Sequence, residues 1–355
     1  MGEQKDMLGF SIYLNHDLTA EDYNYLLAMR NAGLTTVFTS LNIPEDDSAQ
    51  VLKRLHELTK WCQNLETAII ADVSREGLER LGVAINDVAQ LSQLNLSGLR
   101  IDAGVNVNTI ARLSKEMPIA LNASTISEDE LAALRVHGAN FDHLQAWHNF
   151  YPRPETGLAS SWLKEKNEWL HQANLKTVAF VAGDSCRRGP IHAGLPTLEK
   201  HRNENPLAAT LELQKLGCDY VFIGDAALKA TTIASFTNYT KKNALTLHLD
   251  REVPELLTNE WHNRPDAARD VVRLVEGRKR QLFDVNAQTS PKPRPKGSLT
   301  CDNERYLRYQ GELQITKCDL PADERVNVIA NVVSADLALL DQVEAGQELI
   351  FTAAK

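Results

Sequence analysis

Two stretches of this 355-residue chain carry groups that could do chemistry together. In the first, His148-Asn149-Phe150-Tyr151-Pro152-Arg153-Pro154-Glu155-Thr156-Gly157-Leu158, two prolines and a glycine fix the backbone beneath His, Asn, Tyr, Arg and Glu. A loop already rigid places hydrogen-bonding groups without losing conformational entropy at binding. The second, Gly183-Asp184-Ser185-Cys186-Arg187-Arg188-Gly189-Pro190, supplies adjacent arginines, the residue type that grips phosphate or carboxylate through paired, charge-assisted hydrogen bonds. Solvated surface arginines and an ordinary stiffened loop are the structural alternatives.

Acid/base work needs carboxyl groups. Asp102 ends the short apolar run Leu99-Arg100-Ile101, and the small Ala103 and Gly104 after it leave room for a ligand. A helix cap or a salt bridge to Arg100 would use the same carboxylate. Asp225 follows Gly224 where a helix is due to open, so a capping role competes there too. Glu45 and Asp72 are further candidates, as are Glu155 and Asp184. Asp102 and Asp225 are placed ahead of Glu45 and Asp72. Arg100, two positions before Asp102 in a strand, shares its face and would hold it ionised, while a second strand end would supply the acid.

These groups need a frame. Eight short β-rich runs recur, at Leu8-Leu14, Thr36-Leu41, Thr67-Asp72, Gly98-Asp102, Pro118-Asn122, His143-Trp147, Thr177-Ala182 and Asp219-Gly224. Segments of helical period separate them, with start signals at Thr19/Asp22 and at Ser127 before Glu128-Asp129-Glu130. Eight β/α units ending near Lys242 predict an α/β fold, a (β/α)8 TIM barrel with its functional groups at the strand C-termini. The loops after strands seven and eight of that fold commonly hold phosphate, which is where Arg187 and Arg188 fall. The predicted divisions are a barrel over 1–243, a connector over 244–296 and a small β-rich domain over 297–355. Within the connector, Ala244 to Leu249 reads as a strand, Arg264 to Arg273 as a short helix, and Ser290 to Gly297 as a stiff proline-rich stretch.

Several functions are excluded or disfavoured. A net charge of -9 argues against nucleic-acid binding, and no apolar run approaches the 20 or so residues of a membrane span. The acidic start Met1 to Asp6 is unlike a secretory signal, and five dispersed cysteines without a C-x-x-C pair read as reduced cytosolic thiols. No G-x-G-x-x-G follows the first strand, and no G-x-S-x-G elbow occurs. The first strand ends in Asn15-His16-Asp17 where an amidohydrolase would carry H-x-H, and the strand interiors hold no lysine for a Schiff base. Neither a metal nor another cofactor is called for. An acidic chain that nevertheless concentrates arginines on two loops points to a small anionic ligand.

The chain also resembles a known family. Gly9-Phe10-Ser11-Ile12-Tyr13, Phe38 to Glu45, Leu99 to Asp102, Leu121 to Ser124, His148 to Pro154, Arg188-Gly189-Pro190 with Gly194 to Glu199, and Asp302-Asn303 with Arg308 to Glu312 are similar to the MupG-type 6-phospho-N-acetylmuramidases. The likeness runs from Leu8 to about Ala353. It implies a TIM barrel followed by a cyclophilin-like β domain, and a cytoplasmic glycosidase that separates N-acetylmuramic acid 6-phosphate from N-acetylglucosamine during recycling of cell-wall sugars. Such a disaccharide carries a phosphate and a lactyl carboxylate, one anion for each arginine-bearing loop. Asn122, His148, Asn149, Tyr151, Arg153, Arg187 and Arg188 are the expected substrate contacts, joined by Asn303 and Arg308 if the tail motif lines the site. The residues leave open a sugar-phosphate-sensing barrel without catalysis, a sugar-phosphate isomerase or epimerase, and self-association.

Overall fold

The computed structural model describes residues 8–42, 48–101 and 104–354. The chain divides into two compact units, 1–233 and 234–355.

In the first unit, among the described residues, eight strands run β1 (Leu8–Ser11), β2 (Thr36–Ser40), β3 (Ala68–Val73), β4 (Gly98–Ile101), β5 (Ile119–Asn122), β6 (Leu144–Trp147), β7 (Lys176–Val181) and β8 (Tyr220–Ile223). Each pairs in parallel with the next, and β8 pairs back onto β1, closing the barrel. Each predicted run supplies one strand. The two foreseen helix starts carry full capping boxes: Thr19 with Asp22 opens Ala20–Asn31, and Ser127 with Glu130 opens Glu128–Val136. Each box satisfies backbone donors that the first helical turn leaves free.

Alternation along the strands sorts side chains into a barrel interior and a layer beneath the helices. The interior is filled by aromatic rings from opposite sides. Trp147 meets Phe222 at 4.7 Å between centroids, and Phe38 meets Phe180 at 5.3 Å. Gly9 faces this cluster, and a Cβ there would stand 2.2 Å from the Phe222 ring, so β1 carries glycine where a neighbouring strand sends in a phenylalanine.

In the second unit, β9 (Ala244–Leu249), β10 (Trp261–His262), β11 (Val271–Leu274), β12 (Ser298–Asp302), β13 (Leu313–Thr316), β14 (Val326–Asn331) and β15 (Glu348–Ala353) form two sheets, ordered β10-β15-β9 and β11-β13-β12-β14. Segment 244–296 therefore supplies strands to both sheets. The short helix expected over Arg264 to Arg273 is absent: Arg264 N–H donates to the Arg273 carbonyl at 2.9 Å, and Val271 to Leu274 pair antiparallel with β13. β-branched Val271 and Val272 pack in the sheet, overriding the weak helical signal of Pro265.

Candidate active site at the strand C-termini

Counting by twos from the aromatic core brings Tyr13, Ser40, Asp72, Arg100 and Asn122 to the C-terminal ends of their strands, with Asn149 two positions beyond Trp147. Arg100 is 6% exposed, and its two terminal nitrogens reach Asp72 Oδ1 and Asn149 Oδ1. Asp72 Oδ2 accepts from Asn42 Nδ2 at 3.0 Å and from Ser40 Oγ at 3.5 Å. Asn42 is in turn fixed from behind, its Oδ1 accepting from the Ser74 N–H at 2.9 Å and from Ser74 Oγ at 2.8 Å. Ser74 itself caps the helix Arg75–Arg80. One helix cap, one amide and one guanidinium thus hold a single carboxylate in place.

Arg100 points into the barrel mouth as its strand parity predicts, and its described carboxylate partner is Asp72. Asp102 and Glu45, both named as catalytic candidates, lie outside the described residues.

Asp225 corrects the sequence reading. It is fully buried, and both oxygens are taken by backbone donors: Oδ2 accepts from Gly183 N–H at 2.8 Å and Leu195 N–H at 3.0 Å, and Oδ1 from Arg188 N–H at 2.9 Å. A carboxylate enclosed by three N–H groups has no face toward a substrate. It ties the end of β8 to the loop after β7 and thereby shapes the arginine loop. Asp184 is likewise occupied, accepting from Lys229 N–H and Thr232 Oγ1.

His148 is a second correction. Because Trp147 fills the barrel interior, the next residue turns to the helix layer, where His148 Nε2 meets Asn167 Oδ1 at 2.7 Å on the helix Ser160–Gln172. Burial pulls the imidazole down to about 4, with Asn167 opposing. It is a neutral packing residue away from the cluster. Asn149 does join the cluster, and its neighbour Phe150 packs on Phe38 and Phe180. Asn122 ends β5 half-buried, its Oδ1 turned back to the Ser124 N–H.

The arginine loops are distinct from one another. Arg187 Nη2 donates to the Arg202 carbonyl at 3.0 Å and to Asn203 Oδ1 at 2.9 Å, so it anchors the loop. Arg188 instead lays its guanidinium 3.7 Å from the centre of the Tyr13 ring and enters no ion pair with a described residue. Burial raises the Tyr13 phenol and Arg188 opposes that rise. Tyr151 is pinned through its N–H to the Pro196 carbonyl, and Arg153 extends an exposed side chain from the same loop.

A strap that sequence reasoning missed joins these loops. Buried Arg202 forks onto both oxygens of Glu199, at 2.7 and 2.6 Å, and also reaches the carbonyls of Gly194 and Arg153. Glu199 further accepts from Gly157 N–H, and these contacts hold its carboxyl down at about 2. The spacing of three between Glu199 and Arg202 was the available signal, since one helical turn brings such residues together.

In the second unit, Asn303 is buried and fully engaged, donating to the Glu324 carbonyl and Asn327 Oδ1 while accepting from Arg305 N–H. That makes it a cap of the 304–309 turn, with no group left for a substrate. Arg308 is exposed and lies against its neighbour Tyr309.

Comparison with known proteins places this geometry in a lineage. No curated protein matches the chain. Two solved structures match it over nearly their whole lengths. One is a conserved protein of unknown function from Enterococcus faecalis, 38% identical, covering 98% of this chain and 96% of its own, with a TM-score of 0.90. The other is an uncharacterised B. cereus protein, 26% identical, covering 98% and 99%, with a TM-score of 0.73. Family models for the N-terminal and C-terminal parts of 6-phospho-N-acetylmuramidase match residues 8–238 and 243–352, so the chain belongs to the 6-phospho-N-acetylmuramidase family.

Proposed function

We propose that this protein is a glycosidase that hydrolyses the bond between N-acetylmuramic acid 6-phosphate and N-acetylglucosamine. The observation that carries the reading is the family match across both units, 8–238 and 243–352. The barrel geometry supports it. Arg188, stacked on Tyr13 and without a carboxylate partner among the described residues, is suited to the phosphate, and Arg153 on the neighbouring loop to the lactyl carboxylate. Asp225 and the Glu199-Arg202 strap would keep both loops in place before substrate arrives, so ordering them costs nothing at binding.

Glycoside hydrolysis proceeds through an oxocarbenium-like transition state. It needs one carboxyl to protonate the leaving oxygen and a negative group to meet the positive charge at the anomeric carbon. Asp72 suits the second task, because every described partner of its carboxylate (Arg100, Asn42, Ser40) donates to it. As the charged member it would activate water, attack the sugar directly, or orient the 2-acetamido group. The proton donor falls to Asp102 or Glu45. Incubating the protein with the phosphorylated disaccharide and its unphosphorylated counterpart tests the reading. Release of N-acetylglucosamine from the first alone is the expected result. No release from either, or equal release from both, would refute it.

A further inference from the structure

Two amide side chains at the barrel mouth are held by their oxygens alone. Asn149 follows β6, and its Oδ1 accepts from one terminal nitrogen of Arg100, whose other terminal nitrogen reaches Asp72. Asn122 ends β5, and its Oδ1 accepts from Ser124 N–H at 3.0 Å. A guanidinium and a backbone N–H can only donate, so each partner turns an amide oxygen toward itself and leaves the NH2 facing the other way. Both residues are half-buried, neither Nδ2 donates to a described residue, and neither is closed off from solvent.

The barrel sets the two NH2 groups side by side. Asn122 lies opposite Trp147 in the register of β5 with β6, and Asn149 comes two residues after Trp147. Both therefore belong to the face that carries Ala120 and Trp147 into the interior cluster. Neighbouring strands run about 4.8 Å apart, which brings the ends of both side chains within reach of one ligand group. The backbone beneath them is fixed as well: Thr197 Oγ1 donates to the Asn149 carbonyl at 2.9 Å, and Ala123 N–H to the Trp147 carbonyl at 3.0 Å. The donors are thus in position before a ligand arrives.

Donors without acceptors select the ligand. An ammonium group brings only hydrogens and would meet only hydrogens. A hydroxyl would find no acceptor for its own proton on either amide. An anion would stand close to Asp72, which shares Arg100 with Asn149, whereas Arg153 and Arg188 offer it cations elsewhere. The group that fits is an uncharged carbonyl oxygen, whose two lone pairs match two N–H donors. With the anomeric carbon of the sugar at Asp72, the first substituent along the ring is the 2-acetamido group, which carries such an oxygen.

We propose that Asn122 and Asn149 determine specificity for an N-acetylated sugar, both donating from Nδ2 to the acetamido carbonyl beside the reacting carbon. That this sugar is N-acetylmuramic acid 6-phosphate rests on the function proposed above.

The test uses the full chain and calorimetric titration with two probes, N-acetylmuramic acid 6-phosphate and muramic acid 6-phosphate, which has a free amine in place of the acetamido group. Wild type should bind the N-acetylated sugar roughly tenfold or more tightly than the amine. Asn122→Asp and Asn149→Asp keep the side-chain shape and the inward oxygen but replace the NH2 by an acceptor, so each should shift that ratio toward the amine by roughly tenfold. Asn149→Ala, which removes the donor without adding charge, should weaken the N-acetylated sugar and leave the amine bound as in wild type. Near-UV circular dichroism like that of wild type shows that each variant has folded. Binding of neither sugar by wild type, equal binding of both, or a ratio that both Asp variants leave unchanged overturns the proposal. If the protein hydrolyses the phosphorylated disaccharide and the ratio stays unchanged, this inference falls alone. A ratio that depends on Asn149 in a protein that hydrolyses neither disaccharide would sink only the glycosidase reading.

Discussion

Replacing Asp225 separates a structural role from a catalytic one. Its carboxylate accepts from Gly183, Leu195 and Arg188 N–H groups at 2.8 to 3.0 Å with no solvent contact. In Asp225→Asn one oxygen becomes an amide nitrogen. The oxygen that remains can keep Gly183 and Leu195, so the new NH2 faces the Arg188 N–H, donor against donor. Losing one hydrogen bond to a charged group costs about 1.5 to 3 kcal/mol. For a unit of this size each kcal/mol lowers the melting temperature by about 2 to 4 °C, so the barrel transition should fall by about 3 to 12 °C in calorimetry. Because the freed N–H belongs to Arg188, KM for the phosphorylated disaccharide should rise more than kcat falls. A variant that melts with wild type and keeps KM while kcat collapses would refute this, and would make Asp225 a catalytic group after all.

Other expectations follow from the same geometry. Arg188→Ala should cost about 1.5 to 3 kcal/mol in kcat/KM, roughly 10- to 150-fold, for the phosphorylated disaccharide only; equal loss on an unphosphorylated substrate would place the phosphate elsewhere. Asp72→Asn should lower kcat by several orders of magnitude while circular dichroism stays that of wild type, and near-normal turnover would remove Asp72 from the chemistry. His148 titrates near 4 folded and near 6.5 unfolded, so below pH 6.5 the unfolded chain takes up the proton and stability falls as pH drops toward 4. At pH 5 that loss is about 2 kcal/mol relative to pH 7.5. Urea unfolding of His148→Gln should show a shallower decline between those pH values, and an unchanged decline would assign the acid sensitivity to other groups.

The alternation of β-rich runs with helical segments was enough to specify eight strands and their order, because strand period, helix period and capping boxes are local properties of the chain. Parity along each strand also told which residues reach the barrel mouth. It sent Arg100 there, and, applied from Trp147 onward, it would have sent His148 the other way. Partner choice is a different kind of information. Whether Arg100 meets Asp72 or another carboxylate depends on the register between β3 and β4, where Asp72 lies opposite Arg100, and no single strand encodes that. Asp225 carries the same lesson: its sequence neighbours suggest a cap or an acid, but its ligands come from positions 183, 188 and 195, brought over it by the closure of β7 onto β8. Charge, residue type and spacing are written along the chain. Which groups a carboxylate finally faces is set only when distant strands fall into register and the loops between them are pulled taut.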